Sequence, residues 1–301
     1  MFRGVPSREE NEPKPPNKIL CLPIPDHVYH RADPMIYDQY YLMAQGLAVT
    51  WDNPDITIEQ GGMIVPSHEL KPSTVYDVIA RIWNGSIDGI AVNMPVRFSY
   101  LSFGIGIQSH PIGETVVNLP VKGAPGCPTF AHMSWTTPAQ PGHYCIQVQL
   151  IWSDDANPNN NLGQDNTDVQ PLHSPATFSF PLRNNDRLEQ KIELQVDAYA
   201  IPPQRNCDGE KTADSTRMGR AEIAEHIKIA RARNDRNGFP IPDGWNVQIS
   251  PSAALVLGPG EQRDVNISIT APNGFSGTKA FNVNAFARTK LIGGLTLCVT
   301  G

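Results

Sequence analysis

The chain has 301 residues, with 24 Lys plus Arg against 30 Asp plus Glu and a formal net charge of −6 at pH 7. That acidic balance lacks the basic face that neutralises phosphates, so no nucleic-acid partner is expected. The 28 prolines are almost twice the roughly 15 that average usage gives this length, which disfavours long helices and doubly wound sheets, and no run nears the roughly 18 apolar residues of a membrane span.

Residues 1–34 read as an extended, proline-rich arm. Pro13, Pro15, Pro16, Pro23 and Pro25 favour open backbone, while Ile19, Leu20, Leu22 and Ile24 offer apolar contacts to a partner or to the domain surface. Met1 to Pro16 is charged and has no apolar signal core, which implies synthesis in the cytoplasm. Any exit from there would be non-classical export or incorporation into an assembly.

Met35 to Met43 is aromatic-rich and reads as a strand or a short helix. From Asp55 the pattern is β. Ile56-Thr57-Ile58, Tyr76 to Trp83, Val92 to Tyr100, Thr115 to Leu119, Phe130 to Trp135 and Tyr144 to Trp152 alternate with period two. Asn84-Gly85, Pro141-Gly142 and Asp154-Asp155 are turn signals between them. This spacing predicts an antiparallel sandwich over 35–170, with the boundary near Pro171.

A second series follows over 171–301: Thr177 to Phe180, Ile192 to Val196, Trp245 to Ile249, Val265 to Ile269, Phe281 to Phe286 and Leu295 to Val299. Asn, Ser and Thr alternate with apolar residues there, which predicts one dry and one wet face. A helical insertion is expected at about 205–240, where Arg217 to Arg233 carries helical periodicity after a cap at Asp214 or Ser215. The predicted fold class is therefore all-β, two tandem sandwiches with an arm and one helical insertion.

Trp51-Asp52-Asn53-Pro54, the Asn84-Gly85 strand end, Gly142-His143-Tyr144-Cys145-Ile146 and the Asn157 to Asn161 run occur in an order that resembles the CARDB-type immunoglobulin-like domains of bacterial surface and assembly proteins. The resemblance covers about 51–170. Trp245 to Pro251, Leu257-Gly258-Pro259-Gly260-Glu261 and Val265 to Pro272 resemble a second bacterial immunoglobulin-like module, over about 175–301. These resemblances imply immunoglobulin-like sandwiches serving as spacers or binding accessories.

The chemistry-bearing residues are few. Asp155-Ala156-Asn157-Pro158-Asn159 opens like a calcium loop, but position six is Asn160 and position twelve is Asn166, so a structural loop is expected. The five cysteines, Cys21, Cys127, Cys145, Cys207 and Cys298, form no C-x-x-C; one disulfide, Cys127–Cys145, is weighed against free thiols. The histidines, His27, His30, His68, His110, His132, His143, His173 and His226, make no H-E-x-x-H pair, and Glu222 with His226 reads as a solvated helix face. Gly104-Ile105-Gly106 looks like a hairpin or bulge, Pro259-Gly260 like a hairpin turn, and Tyr144 like a tyrosine corner.

No catalytic, cofactor-binding or metal-binding residue is nominated. The expectation is a non-catalytic structural or interaction protein with protein partners or self-assembly, as a subunit of a bacterial or phage-like assembly or surface structure. The alternative is an adhesin-like glycan-binding module that stacks sugars on Tyr40, Tyr41 or Trp51. A hydrolase with its site near His226 ranks last.

Overall fold

The computed structural model describes residues 30–140, 142–171, 175–201 and 235–301. Most of the expected arm (1–29) and the helix expected over Arg217 to Arg233 lie outside the described residues.

The fold is all-β. Nine strands come first: β1 (Pro34–Met35), β2 (Ile56–Gln60), β3 (Met63–Ile64), β4 (Val75–Asn84), β5 (Ala91–Ser102), β6 (His110–Leu119), β7 (Thr129–Thr136), β8 (Tyr144–Leu150) and β9 (Leu162–Asp165). One sheet runs β3-β2-β4-β7, with β1 continuing on β4 beyond β2; the other runs β6-β5-β8-β9. Alternation on β4 sends Tyr76, Val78, Ala80 and Ile82 inward. They meet Met94, Val96 and Phe98 of β5 and Ile146, Val148 and Leu150 of β8 in one core. Each Val, Ile, Leu, Met or Phe among them contributes about 1.5–3 kcal/mol by leaving water.

Eight strands follow: β10 (Thr167–Pro171), β11 (Ala176–Arg183), β12 (Gln190–Asp197), β13 (Asn246–Ser250), β14 (Ala254–Leu257), β15 (Gln262–Thr270), β16 (Thr278–Ala287) and β17 (Lys290–Thr300). They form sheets β10-β17-β16-β12-β14 and β11-β15-β13. Between these sheets Phe178, Phe180, Val265 and Ile267 pack against Ile192, Phe281, Val283 and Leu297.

Among the named strands every pairing is antiparallel except β10 on β17, with Thr167 opposite Thr296 and Pro171 opposite Thr300. β9 ends at Asp165 in the first sandwich and β10 begins at Thr167 in the second. The chain therefore changes sandwich at one residue, Asn166, ahead of the Pro171 position read from sequence.

A short helix, α1 (Gln39–Ala44), is capped by Asp38, whose side chain accepts from Tyr41 N. With Val49 and Trp51 it makes a third apolar cluster that includes Phe286 and Leu291 of the second sandwich. Ala32, Asp33 and Pro34 are already buried, so the last residues of the expected arm belong to the first sandwich.

One turn expectation is corrected. Pro259-Gly260 joins β14 to β15, which lie in different sheets, so it is an inter-sheet crossing and no hairpin. Gly104-Ile105-Gly106 lies in the connection of the β5–β6 hairpin, where Tyr100 stands opposite His110. It leaves β5 and docks on the second sandwich, where Ile105 bridges Leu182, donates to Pro181 O at 3.0 Å and accepts from Arg183 N at 3.0 Å. Gly106, at φ +72°, approaches so closely that an added Cβ would stand 2.3 Å from Arg183 O.

Candidate functional site

The densest polar constellation lies where the two sandwiches meet, and the strands explain why. Asn282 and Asn284 on β16 and Thr296 on β17 occupy the face expected to be wet. Instead they are 0%, 2% and 0% exposed. The segment from Tyr37 to Trp51 covers them, which corrects the wet-face reading for these two strands. Alternation specifies that a polar residue leaves its own core, while a second layer can still bury it.

Once buried, these groups need partners. Asp197, at the end of β12, accepts from Asn282 Nδ2 and Asn284 Nδ2, each at 2.8 Å. Thr296 Oγ1 donates to Asn282 Oδ1 at 2.8 Å and accepts from Trp51 N at 2.8 Å. The Trp51 indole donates to Asn284 Oδ1 at 3.0 Å and lies flat enough on β17 that a Cβ on Gly294 would stand 2.2 Å from Nε1. Burial pushes the Asp197 carboxyl up despite its three donors, Asn282, Tyr199 N and Asn284.

Asn166 is the second tie. Its N–H donates to Trp51 O at 2.7 Å and its carbonyl accepts from Thr296 N at 2.9 Å. Its side-chain amide donates to Gly104 O at 3.1 Å and Gly294 O at 2.6 Å, and Oδ1 accepts from the Cys145 thiol. Every part of this residue therefore bridges two or more elements.

A cavity of about 190 Å³ opens at this junction, lined by Tyr40, Cys145, Gln164, Asn166, Gly293 and Gly294 among others. Its polar groups are neutral. Tyr40 OH donates to Gln164 Oε1 at 3.2 Å. Burial pushes the Cys145 thiol well up and the Cys298 thiol up to about 12, with Asp165 and Asp168 adding to both, so neither is a ready thiolate. Burial, then the charge of Asp52, pushes the Asp165 carboxyl up to about 7.

Cys127 and Cys145 are both free, so the weighed disulfide is not formed. Trp51 is 0% exposed and packs edge-on against Tyr40 at 5.7 Å, so it cannot stack on a sugar. Tyr144 makes the expected corner, its hydroxyl donating to Gln140 O. His30 meets Asp88 and His132 meets Asp77, both exposed pairs; His143 lies 3.6 Å from Asp168 and stacks on Phe103. His27, His173, Glu222 and His226 lie outside the described residues.

The Asp155 loop is buried and internally bonded. Asp155 accepts from Asn157 N at 2.8 Å and Asn161 Nδ2 at 2.7 Å, in an Asx-turn, while Asn160 Nδ2 donates to Asp33 Oδ1 at 3.0 Å. Asn160 O also accepts from Ile36 N. The loop thus pins the β1 segment to the sandwich, although the amide oxygens of Asn160 and Asn161 are buried without a partner among the described residues. Burial pushes the Asp33 carboxyl up to about 6. Among the described residues no group of three or more His, Cys, Asp or Glu gathers as for a metal ion, and no helix is long and apolar enough to cross a membrane.

No family model and no curated protein matches the chain. Solved structures with some likeness include Escherichia coli alpha-2-macroglobulin activated by porcine elastase, with 10% identity and TM-score 0.23 over 82% of this chain and 22% of that one. Salmonella alpha-2-macroglobulin reacted with methylamine has 9% identity and TM-score 0.25 over 81% and 16%. The collagen adhesin from S. aureus has 9% identity and TM-score 0.19 over 81% and 91%. The chain thus spans less than a quarter of either macroglobulin. Likenesses at these TM-scores carry no argument about function.

Proposed function

We propose that the chain is a non-catalytic structural and interaction protein, a subunit of a larger bacterial or phage-like assembly or surface structure. It would be built on immunoglobulin-like domains of the CARDB type. The observation that carries this reading is the junction itself. Trp51, Asn166 and Ile105 each tie one sandwich to the other through buried bonds, with a single residue between β9 and β10. A pair of domains held this way presents its outer faces in one fixed relation, which is what a repeating assembly asks of its subunits.

The cavity at the junction supports the same reading. At about 190 Å³ it falls below the roughly 300–1,000 Å³ usual for small-molecule sites. Its thiol is held protonated by burial, and its amides are engaged in holding strands together.

The test is native mass spectrometry of the C-terminally tagged chain drawn from its own host. A stoichiometric set of partners or a large homomeric particle is expected. Removing residues 1–29, which stops short of the buried Ala32 to Pro34, should leave both sandwiches folded and abolish that assembly. A lone species of 33.0 kDa from the intact chain would overturn the proposal.

A further inference from the structure

Three side-chain atoms of the Asp155 loop are buried without a partner among the described residues: Asn157 Nδ2, Asn160 Oδ1 and Asn161 Oδ1. Asn160 is 2% and Asn161 5% exposed, so neither oxygen is repaid by bulk water. A buried amide oxygen with no donor is costly in a folded chain. Two of them side by side, each next to a carboxylate, suit a positive ligand.

The carboxylates are those of Asp33 and Asp155. Asn160 Nδ2 stands 3.0 Å from Asp33 Oδ1, and Asn161 Nδ2 stands 2.7 Å from Asp155 Oδ2. Within one amide the nitrogen and oxygen are about 2.2 Å apart. Each bare oxygen therefore lies within about 5 Å of its carboxylate oxygen, as two oxygens held by one calcium ion do. The backbone brings the two acids together: Ala156 N donates to Ala32 O at 2.9 Å, and Ile36 N donates to Asn160 O at 3.2 Å. Asp33 and Asp155 thus flank one hydrogen bond between their segments. Burial is the largest influence on both carboxyls and pushes both up. The charge of Asp155 raises Asp33 further than that of Lys122 lowers it, and Arg31, which eases Asp155, is bound to Asp154 at 3.1 Å.

We propose that Asp33, Asp155, Asn160 and Asn161 hold a calcium ion through their side-chain oxygens. Two carboxylates balance the charge of a divalent cation, and an all-oxygen set suits calcium over zinc or copper. Water would take the remaining positions, since Asp154, Pro158 and Asn159 beside the site are exposed. This set differs from the calcium loop weighed from sequence, which fails at Asn160 and Asn166. Its second acid is Asp33, 127 residues before Asn160. The ion would clamp the segment that enters β1 onto the Asp155 loop, whether or not the chain assembles.

The test is titration of the full chain with calcium chloride after dialysis against EDTA, followed by calorimetry and by the side-chain amide resonances of its asparagines. One ion per chain should bind with a dissociation constant of about 0.1–1 mM, as at sites with few acidic ligands. The Asn160 and Asn161 amides should shift with the same midpoint, while that of Asn184, in the second sandwich, stays in place. Asp155→Asn keeps the side chain's shape, removes one charge and should weaken binding at least about tenfold. Asp154→Asn, at an exposed side chain, should leave it unchanged. No binding up to about 10 mM calcium would overturn the proposal. So would binding that leaves both amides unmoved, an Asp155→Asn chain that binds as tightly as the intact one, or magnesium bound as tightly as calcium. Should Asp155→Asn fail to fold, the two amides of the unaltered chain decide alone.

Discussion

The two sandwiches close one end in the same way and treat their outer faces in opposite ways. In the first, Asn84 ends β4; its Oδ1 accepts from Asp33 N and Ser86 N, and its Nδ2 donates to Gly89 O and Pro120 O. In the second, Asn184 follows β11; its Oδ1 accepts from Asp186 N, and its Nδ2 donates to Leu188 O, Leu257 O and Gly258 O. One asparagine thus satisfies the backbone of three connections where a sheet ends, and its short amide does so without a long side chain to order. The outer faces differ. Val92 and Val116 of the first sandwich face water, while Asn282, Asn284 and Thr296 of the second lie sealed under Trp51. Polarity at an outward position is therefore a poor guide to exposure when another domain supplies the cover.

The sealed face gives the largest expected effect. Trp51→Ala removes a fully buried indole and leaves Asn284 Oδ1 without its donor, which should cost about 3–5 kcal/mol. Urea unfolding followed by fluorescence should then split into two transitions, because the sandwiches lose their main tie. A single transition at an unchanged midpoint would mean that the junction contributes little.

The shared closing device gives the next effect. Asn84→Ala and Asn184→Ala each strand several buried carbonyl and N–H groups, and each should cost about 2–4 kcal/mol. The losses should match within about 1 kcal/mol and add in the double variant, since the sites share no partner. A large loss at one site and none at the other would mean that the two asparagines are not equivalent.

The smallest effect is on pH dependence. Burial raises the carboxyls of Asp33 and Asp38 to about 6 and of Asp165 to about 7. Each holds its proton more tightly folded than unfolded, so the folded chain binds more protons between about pH 4 and pH 7. Stability therefore falls as pH rises through that window. Thermal unfolding should come about 5 °C higher at pH 5 than at pH 8, and Asp165→Asn should reduce that difference. Equal midpoints at the two pH values would show these carboxyls to be better hydrated than their burial implies.

Much of the sandwich pattern was legible from period two. Tyr76 to Trp83, Phe130 to Trp135 and Val265 to Ile269 lie within β4, β7 and β15, because a strand half in a core leaves that signature directly. Tyr144 was legible too, since a Gly two residues earlier and a strand after it are local features. The short strands β3, β9, β10 and β14 hold only two to five residues, too few for a period to emerge. The junction was the least legible part. Trp51 looked like a surface aromatic because its partners, Asn284 and Thr296, are 233 and 245 residues away. The hairpin at Gly104-Ile105-Gly106 was legible, but its docking was not, because Arg183, against which Gly106 lies, is far along the chain.

The one-residue passage at Asn166 also governs how the chain can be divided. A cut near Pro171, where composition invites it, would carry β10 away with the first fragment. The second fragment would keep β17 with its outer edge unpaired, along Thr296 to Thr300. Such an edge is a template for pairing with other chains. The first fragment, in turn, would end in a strand with no sheet to join. A clean separation has no natural place, since the strand that leaves one domain completes the other.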